Sequence, residues 1–319
     1  MRHLAHPVVS IGNIALGGRA KTPMTELVAR ALLEAGERPA ILSRGYARER
    51  ALDTPVIVRD AESVRAGLAE SGDEPLMLAE ALDGAIVVVH ADRSRAGVVA
   101  ESLGATVHVL DDGFQHLRLH RDVDIVMLDP GDLDGRVVPA GRLREPVDAL
   151  ASAQGIVVIG GARNDRSAAS LAVAEFSDAW VFSALRHVAG PPSALTGARS
   201  LLVSGIADGT QLSQGVAAAG WNLVGERAFK DHHRYSTADV DEIRRAAAAA
   251  GATIVLTTAK DAVRLRGVWR GDVPLHVATM SLEIDGMFAD WLLERVNSAR
   301  ADRSADARRV REDGARRAS

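Results

Sequence analysis

The sequence predicts an α/β protein built on a doubly wound parallel sheet, followed by a second, smaller α/β domain. Three observations carry this expectation. Short β-branched runs alternate with longer helical patterns, the first strand breaks into a glycine-rich turn that opens a helix, and a second strand–helix series begins near Ser200. Apolar strands separated by helices indicate parallel pairing, because a crossover helix is what brings the chain back to start a parallel neighbour.

The elements follow in order. "VVSIGN" from Val8 reads as the first strand, Thr22 to Leu33 as a helix and "PAILS" from Pro39 as the next strand. Glu74 to Leu82, "AIVVVH", Arg93 to Leu103, "ATVHVLDD" and "DIVMLD" continue the alternation. A Pro-Gly break, "AGPPSALTGA", then separates a second series: "SLLVSGIAD", a helix over Gln211 to Ala219, "ATIVLTTAKD" and "VPLHVATM". The expected organisation is a first domain over 1–188, a smaller domain over 189–298 and a tail over 299–319. The tail carries seven Arg against four acids with almost no apolar residues, so disorder is expected there, with attraction to anionic lipid as one possible role.

Composition narrows the function classes. Cysteine is absent, which rules out disulfides, thiolate zinc sites and iron–sulfur clusters. A formal net charge of −4 gives no reason to expect nucleic acid as a partner. No apolar run approaches the ~18–20 residues of a membrane span, and "MRHLAHPVVS" lacks the apolar core of a secretory signal. His116 and His120 have i,i+4 spacing, and His232 and His233 are adjacent, but neither pair carries the further ligands a zinc site needs.

The chemistry concentrates in "VVSIGNIALGGRAKTP". A strand that passes through a glycine-rich turn into a helix points backbone N–H groups at one spot beside the positive end of the helix dipole, and phosphate binds there. Gly17, Gly18, Arg19, Ala20, Lys21 and Thr22 form this candidate loop. Lys21 and Thr22 occupy the last two places of G-x-x-x-x-G-K-[ST], where Lys reaches the phosphates and the hydroxyl faces Mg²⁺. Ala15 and Ala20 stand where that signature has glycine, and a Cβ at residue 20 is costly if φ is positive. A second constellation, "VHVLDDGFQH", ends a strand in Asp111 and Asp112, at the carboxyl end of the sheet, where doubly wound folds bind ligands. With the loop, the expected first domain becomes P-loop NTPase-like.

With "LDDGFQHLRLHRDVDIVMLD", "PAGRLREP" and "FKDHHRYS" added to the loop, the chain resembles the tetraacyldisaccharide 4′-kinase family, the lipid A 4′-kinases of Gram-negative bacteria, from about Val8 to about Leu293. The resemblance implies transfer of phosphate from ATP with Mg²⁺ to the 4′-hydroxyl of a tetraacyldisaccharide 1-phosphate, in a cleft between two α/β domains. It places Lys21 and Thr22 on phosphates and metal, and Asp111, Asp112 and Glu145 on the metal side. Asp73 in "SGDEPLML" falls on the catalytic acid that works with a His of the "DHH" segment, taken as His232 with His233 as the substitute. Without the resemblance, the favoured reading of Asp73 is a helix cap, a role that can coexist with catalysis. Arg44, Gln115, His116 and Arg144 fall on substrate positions, Tyr46 and Arg142 lie near the cleft, and Lys260 and Asp261 line its nucleotide side.

The resemblance further implies a monomer on the cytoplasmic face of the inner membrane, with glycolipid and membrane surface as partners. Such kinases usually open with an apolar membrane-docking helix, whereas this chain reaches its first strand by Val8. Either an upstream segment is missing or contact falls to the basic tail or to "GMFADWLLERV", where Phe288, Trp291 and Leu292 share one helical face; packing of that face on its own sheet is the favoured alternative. Arg19 and Ala20 also leave open a catalytically impaired homologue that binds nucleotide or glycolipid. A metallochaperone-type GTPase is weaker, since "TAKD" lacks the Asn of a guanine-reading segment.

Overall fold

The computed structural model describes residues 1–318 apart from 18–19, 47, 51, 161–170, 172, 207–208 and 271, with side chains as far as residue 305. The chain first lays down β1 (Val8–Asn13), α1 (Lys21–Glu34), β2 (Pro39–Ser43), β3 (Val56–Arg59), α2 (Leu68–Ser71), α3 (Asp73–Ala81), β4 (Ile86–Val89), α4 (Arg93–Ser102), β5 (Val107–Asp111), β6 (Val123–Leu128), β7 (Gly155–Ile159) and β8 (Trp180–Val188). These eight strands, with β13 (Met280–Ile284) added from near the end of the chain, form a nine-stranded sheet in the order β13-β8-β7-β6-β1-β5-β2-β4-β3. Its interior pairs are parallel, but β3 runs antiparallel to β4 and β13 antiparallel to β8. The sheet is therefore mixed, which corrects the wholly parallel expectation: both edges are closed by strands that reverse direction.

The second sheet has four parallel strands in the order β10-β9-β11-β12. It is built from β9 (Arg199–Ser204), α5 (Gly209–Ala218), β10 (Asn222–Ala228), α6 (Thr237–Ala250), β11 (Ile254–Thr258), α7 (Ala259–Leu265) and β12 (Leu275–Ala278). Then the chain crosses back. β13 (Met280–Ile284) pairs with β8, and α8 (Phe288–Ala318) packs on the first sheet. The boundary expected at 298 thus misplaces these two elements, because a short strand declares its sheet only through its pairing partner.

The first sheet buries both faces. Val9 and Ile11 pack with Met24 and Val28 of α1 and Leu78 of α3 on one side, while Val8, Leu42 and Leu110 pack with Ala96 and Ala100 of α4 on the other. Phe288, Trp291 and Leu292 lie in the first of these cores, and Phe288 meets Phe182 edge-on with ring centroids 5.1 Å apart. That face of α8 is consequently closed to lipid. Where disorder is expected, α8 continues past residue 299. Extending an existing helix avoids the cost of nucleating one, and the continuation is tied down where side chains are described: Arg300 donates to Glu37 at 2.8 Å and Arg303 to Asp122 at 2.6 Å. Among the described residues no helix is long and apolar enough to cross a membrane.

Candidate active site

The carboxyl ends of β1, β5 and β2 are neighbours in the first sheet, and they bring Asn13, Asp111 and Ser43 together. β1 lies at the point where the strand order reverses, between β5 and β6, so the loops leaving β1 and β5 diverge around a crevice. The loop after β1 turns through Gly17, at φ 101°, and enters α1 at Lys21. Gly18 and Arg19 lie outside the described residues.

Ala20 is the N-cap of α1 in the left-handed region, at φ 56° and ψ 28°, and offers no side-chain cap. The first amides of α1 therefore lack a capping side chain at Ala20, as an anion-binding helix end requires. The Cβ makes this conformation cost about 1–2 kcal/mol, and glycine's greater chain entropy offsets about half of the relief. Ala20→Gly is expected to stabilise the protein by about 1 kcal/mol in a denaturant titration, and an unchanged midpoint would show that the loop bears no strain there.

Lys21 is held over the crevice by three oxygens. Its Nζ donates to Asn13 Oδ1 at 3.2 Å and to Gly17 O at 3.5 Å, and lies 3.3 Å from Asp112 Oδ1. Asp112, itself at φ 51°, accepts from Arg144 Nη1 at 3.1 Å on each oxygen. Arg144 also donates to Gln115 Oε1 at 3.2 Å, and Gln115 Nε2 donates to Glu145 Oε1 at 2.7 Å and to Asn13 O at 2.9 Å. The segments "DDGFQH" and "LREP" are thus joined to the end of β1 by one polar network. Phe114 sits so close to β1 that a Cβ on Gly12 would lie 2.4 Å from the Phe114 Cβ, so this approach requires glycine.

Asp111 is buried and accepts from Thr25 Oγ1 at 3.3 Å and Ser43 Oγ at 3.4 Å. Burial, with Glu74 and Asp112 as neighbouring anions, pushes its carboxyl up to about 7 against the opposing pull of Lys21 and Arg93. A carboxyl raised on folding binds more protons in the native state, so stability from this group is full below the unfolded value near 4 and is lost as pH rises toward 7. Replacing Asp111 with Asn is expected to flatten the fall of the metal-free melting midpoint between pH 5 and pH 8. An identical slope in both proteins would contradict the shift.

A second cluster crosses between the two sheets. Asp73 opens α3, buried, and its Oδ2 lies 3.0 Å from Nδ1 of His232, a residue 159 positions away in the chain. Arg264 of α7 donates to the same oxygen through Nε at 2.9 Å and through Nη2. Burial pushes the Asp73 carboxyl up, but the His232 hydrogen bond and the Lys260 and Arg264 cations overcome it and leave the group well below the usual carboxylate range. His232 is at φ 58°, with Tyr46 edge-on at 5.3 Å. Lys260 Nζ lies 3.2 Å from His232 Nε2 and 3.2 Å from Glu74 Oε1. An ammonium has only donors, which assigns the ring proton to Nδ1, facing Asp73, and the lone pair to Nε2. His233 turns elsewhere, 3.2 Å from Asp239 and stacked on Phe229.

The two clusters meet at Glu74, which acts on Asp111 from one side and holds Lys260 on the other. Thr22 is half-buried in the first turn of α1; Arg44 is exposed and His116 half-buried, and among the described residues neither side chain hydrogen-bonds to the clusters. Lys260, expected on the nucleotide side, touches the imidazole and Glu74. Arg264 and Asn13 were not singled out by sequence reasoning: an Arg in "DAVRLRG" and an Asn ending a strand carry no local signal, and only the tertiary approach shows what they hold.

Fold and site together define an α/β enzyme of the phosphoryl-transfer class. The model of the tetraacyldisaccharide-1-P 4′-kinase family matches residues 1–297. Curated tetraacyldisaccharide 4′-kinases are similar: that of Geobacter metallireducens is 39% identical over 291 residues, covering 88% of this chain and 86% of the relative. That of Anaeromyxobacter sp. strain Fw109-5 is 40% identical over 297 residues, covering 87% and 78%. Among solved structures, LpxK from Aquifex aeolicus in complex with ATP aligns with a TM-score of 0.75 at 28% identity, covering 93% of this chain and 90% of that one. The chain belongs to the tetraacyldisaccharide 4′-kinase family.

Proposed function

We propose that this chain transfers the γ-phosphoryl group of MgATP to the 4′-hydroxyl of a tetraacyldisaccharide 1-phosphate, a lipid A precursor, at the cytoplasmic surface of the inner membrane. The observation that carries the reading is the Asp73–His232 pair, formed at 3.0 Å by residues of the two units built on the two sheets. A sugar hydroxyl is a poor nucleophile, and an imidazole oriented by a carboxylate removes its proton as the new P–O bond forms. The first unit would act as a P-loop NTPase-like domain, with the Gly17–Thr22 loop and the open end of α1 receiving the phosphates.

The residues share the work as follows. Asp73 holds the Nδ1 proton of His232 and so leaves the Nε2 lone pair for the hydroxyl, which displaces Lys260 from that atom. The proton passes to Nε2, the hydroxyl oxygen bonds to the γ-phosphorus, and the bond from that phosphorus to the bridging oxygen breaks to release ADP. Lys21 lies over the crevice to neutralise phosphate charge, and the displaced Lys260 remains close to the transferring group.

The donor set fits Mg²⁺. Mg²⁺ takes one or two carboxylates and completes its shell with water and phosphate, and Asp111 and Asp112 stand together at the end of β5. Asp111 is crowded by the anions of Glu74 and Asp112, a repulsion that a divalent cation would relieve. Thr22 and the carboxylates of Asp111, Asp112 and Glu145 would hold the ion, one or two of the carboxylates directly and the rest through water, and it would supply neutralisation of phosphate charge. Arg44, Gln115, His116 and Arg144 are assigned to the substrate, although Gln115 and Arg144 also brace Asp112 and Glu145.

The test is transfer of label from γ-radiolabelled ATP to a tetraacyldisaccharide 1-phosphate in detergent micelles. Labelled lipid supports the reading. Nucleotide binding without labelled lipid would replace it with a homologue that binds but does not phosphorylate.

A further inference from the structure

We infer that Arg264 is a positioning residue for phosphoryl transfer, joining the second sheet's unit to the Asp73 carboxylate and so making the alignment of His232 depend on contact between the units. The inference rests on the reading of Asp73 and His232 just given. Its basis is a buried chain of polar groups reaching back from Asp73. Arg264 and Asp73 are 7% and 5% exposed, which removes solvent as an alternative partner for either charge.

The guanidinium divides its donors between the two units. Nε and Nη2 face Asp73 Oδ2, the oxygen that His232 also uses, while Nη1 donates to Gly205 O and to Asp261 Oδ1, each at 3.2 Å. Asp261 is held in turn by Tyr235 Oη at 3.0 Å, Gly205 N at 3.0 Å and Thr258 Oγ1 at 2.7 Å. Arg264 is thus fixed from behind by its own unit before it reaches across. The planar fork of arginine satisfies both directions at once, whereas a lysine ammonium is a point charge on a flexible stem.

The same contact orders the imidazole. His232 takes its place on Asp73 Oδ2 beside Arg264 Nη2, which lies 3.4 Å from Nδ1. With Arg264 in place, the carboxylate is pinned on one side and directs its remaining acceptor capacity at Nδ1. Without it, the carboxylate can rotate, and the Nε2 lone pair loses its fixed direction toward the acceptor hydroxyl. Separation of the units withdraws Arg264 and His232 together from Asp73, so the base is assembled only when the units are in contact. The nucleotide loop lies wholly in the first unit and is untouched by this linkage.

The experiment compares full-length wild type, Arg264→Gln and Arg264→Lys in the labelled-lipid assay, with MgATP affinity and melting midpoint measured on each. The expected result is that Arg264→Gln lowers kcat by about 10- to 100-fold, the range that misplacement of a catalytic group produces, while KM for MgATP stays within about twofold of wild type. Arg264→Lys, which keeps the buried cation, should recover part of kcat. A folded Arg264→Gln protein with wild-type kcat, or a Lys variant no faster than the Gln variant, would overturn the inference. Wild-type enzyme that forms no labelled lipid would overturn the underlying functional reading instead.

Discussion

His232→Ala is expected to lower kcat by about 10²- to 10⁴-fold, the usual contribution of a positioned general base, while leaving MgATP affinity unchanged. The reason lies in the separation of the two clusters. His232 is held by Asp73, Lys260 and Tyr46, and none of the Lys21 contacts involves it. Asp73→Ala should cost turnover by a similar factor, because the imidazole loses its orienting acceptor. The two losses should not add: a double variant no slower than either single one is the behaviour of groups that act as a unit. Asp73→Ala also leaves the buried Arg264 cation with Asp261 as its one remaining described carboxylate partner, so a lower melting midpoint should accompany its loss of turnover, whereas half-buried His232 should be nearly neutral for stability. Steady-state kinetics with both substrates varied, together with a binding titration of MgATP, checks these expectations; unchanged turnover in either single variant would remove that residue from the reaction.

Lys21→Ala is expected to have the opposite signature, with KM for MgATP raised and kcat lowered together. Unit charges 4 Å apart at an effective dielectric of 20 attract by about 4 kcal/mol, and even half of that gives a loss in kcat/KM of about 30-fold, with about 1000-fold as the upper end. Lys21 is positioned to deliver this because Asn13, Gly17 and Asp112 hold its amine at the end of α1. The substitution also leaves Asp112 with Arg144 as its remaining described ion-pair partner, which should make the site more repulsive and the protein less stable at neutral pH. Wild-type nucleotide affinity in Lys21→Ala would mean that the phosphates lie elsewhere.

The sequence announced these sites unevenly. The strand–turn–helix around Lys21 was legible because strand period, paired glycines and the Lys-Thr dipeptide are all local. The positive φ of Ala20 could be anticipated from the glycine usual at that place, but whether alanine would accept it was a question for the backbone. Asp111 was legible as the last residue of an apolar strand, whereas its companions Thr25 and Ser43 come from other elements and have no sequence mark. The helical face of Phe288, Trp291 and Leu292 could be read from its spacing, yet its choice between sheet and lipid was settled by the burial of Trp291 against the first core. Composition gave no hint that Arg300 and Arg303 find carboxylates on the body of the protein. The return of β13 beside β8 and the reach of Arg264 to Asp73 are long-range contacts, which no window along the chain contains.

The central claim is that the 4′-hydroxyl is the acceptor for the group that ATP supplies. The most direct measurement offers wild-type enzyme and γ-radiolabelled ATP either the tetraacyldisaccharide 1-phosphate or its 4′-deoxy analogue in the same micelles. The account predicts labelled lipid from the first and none from the second. Label on the deoxy analogue, or none on either lipid, would contradict it.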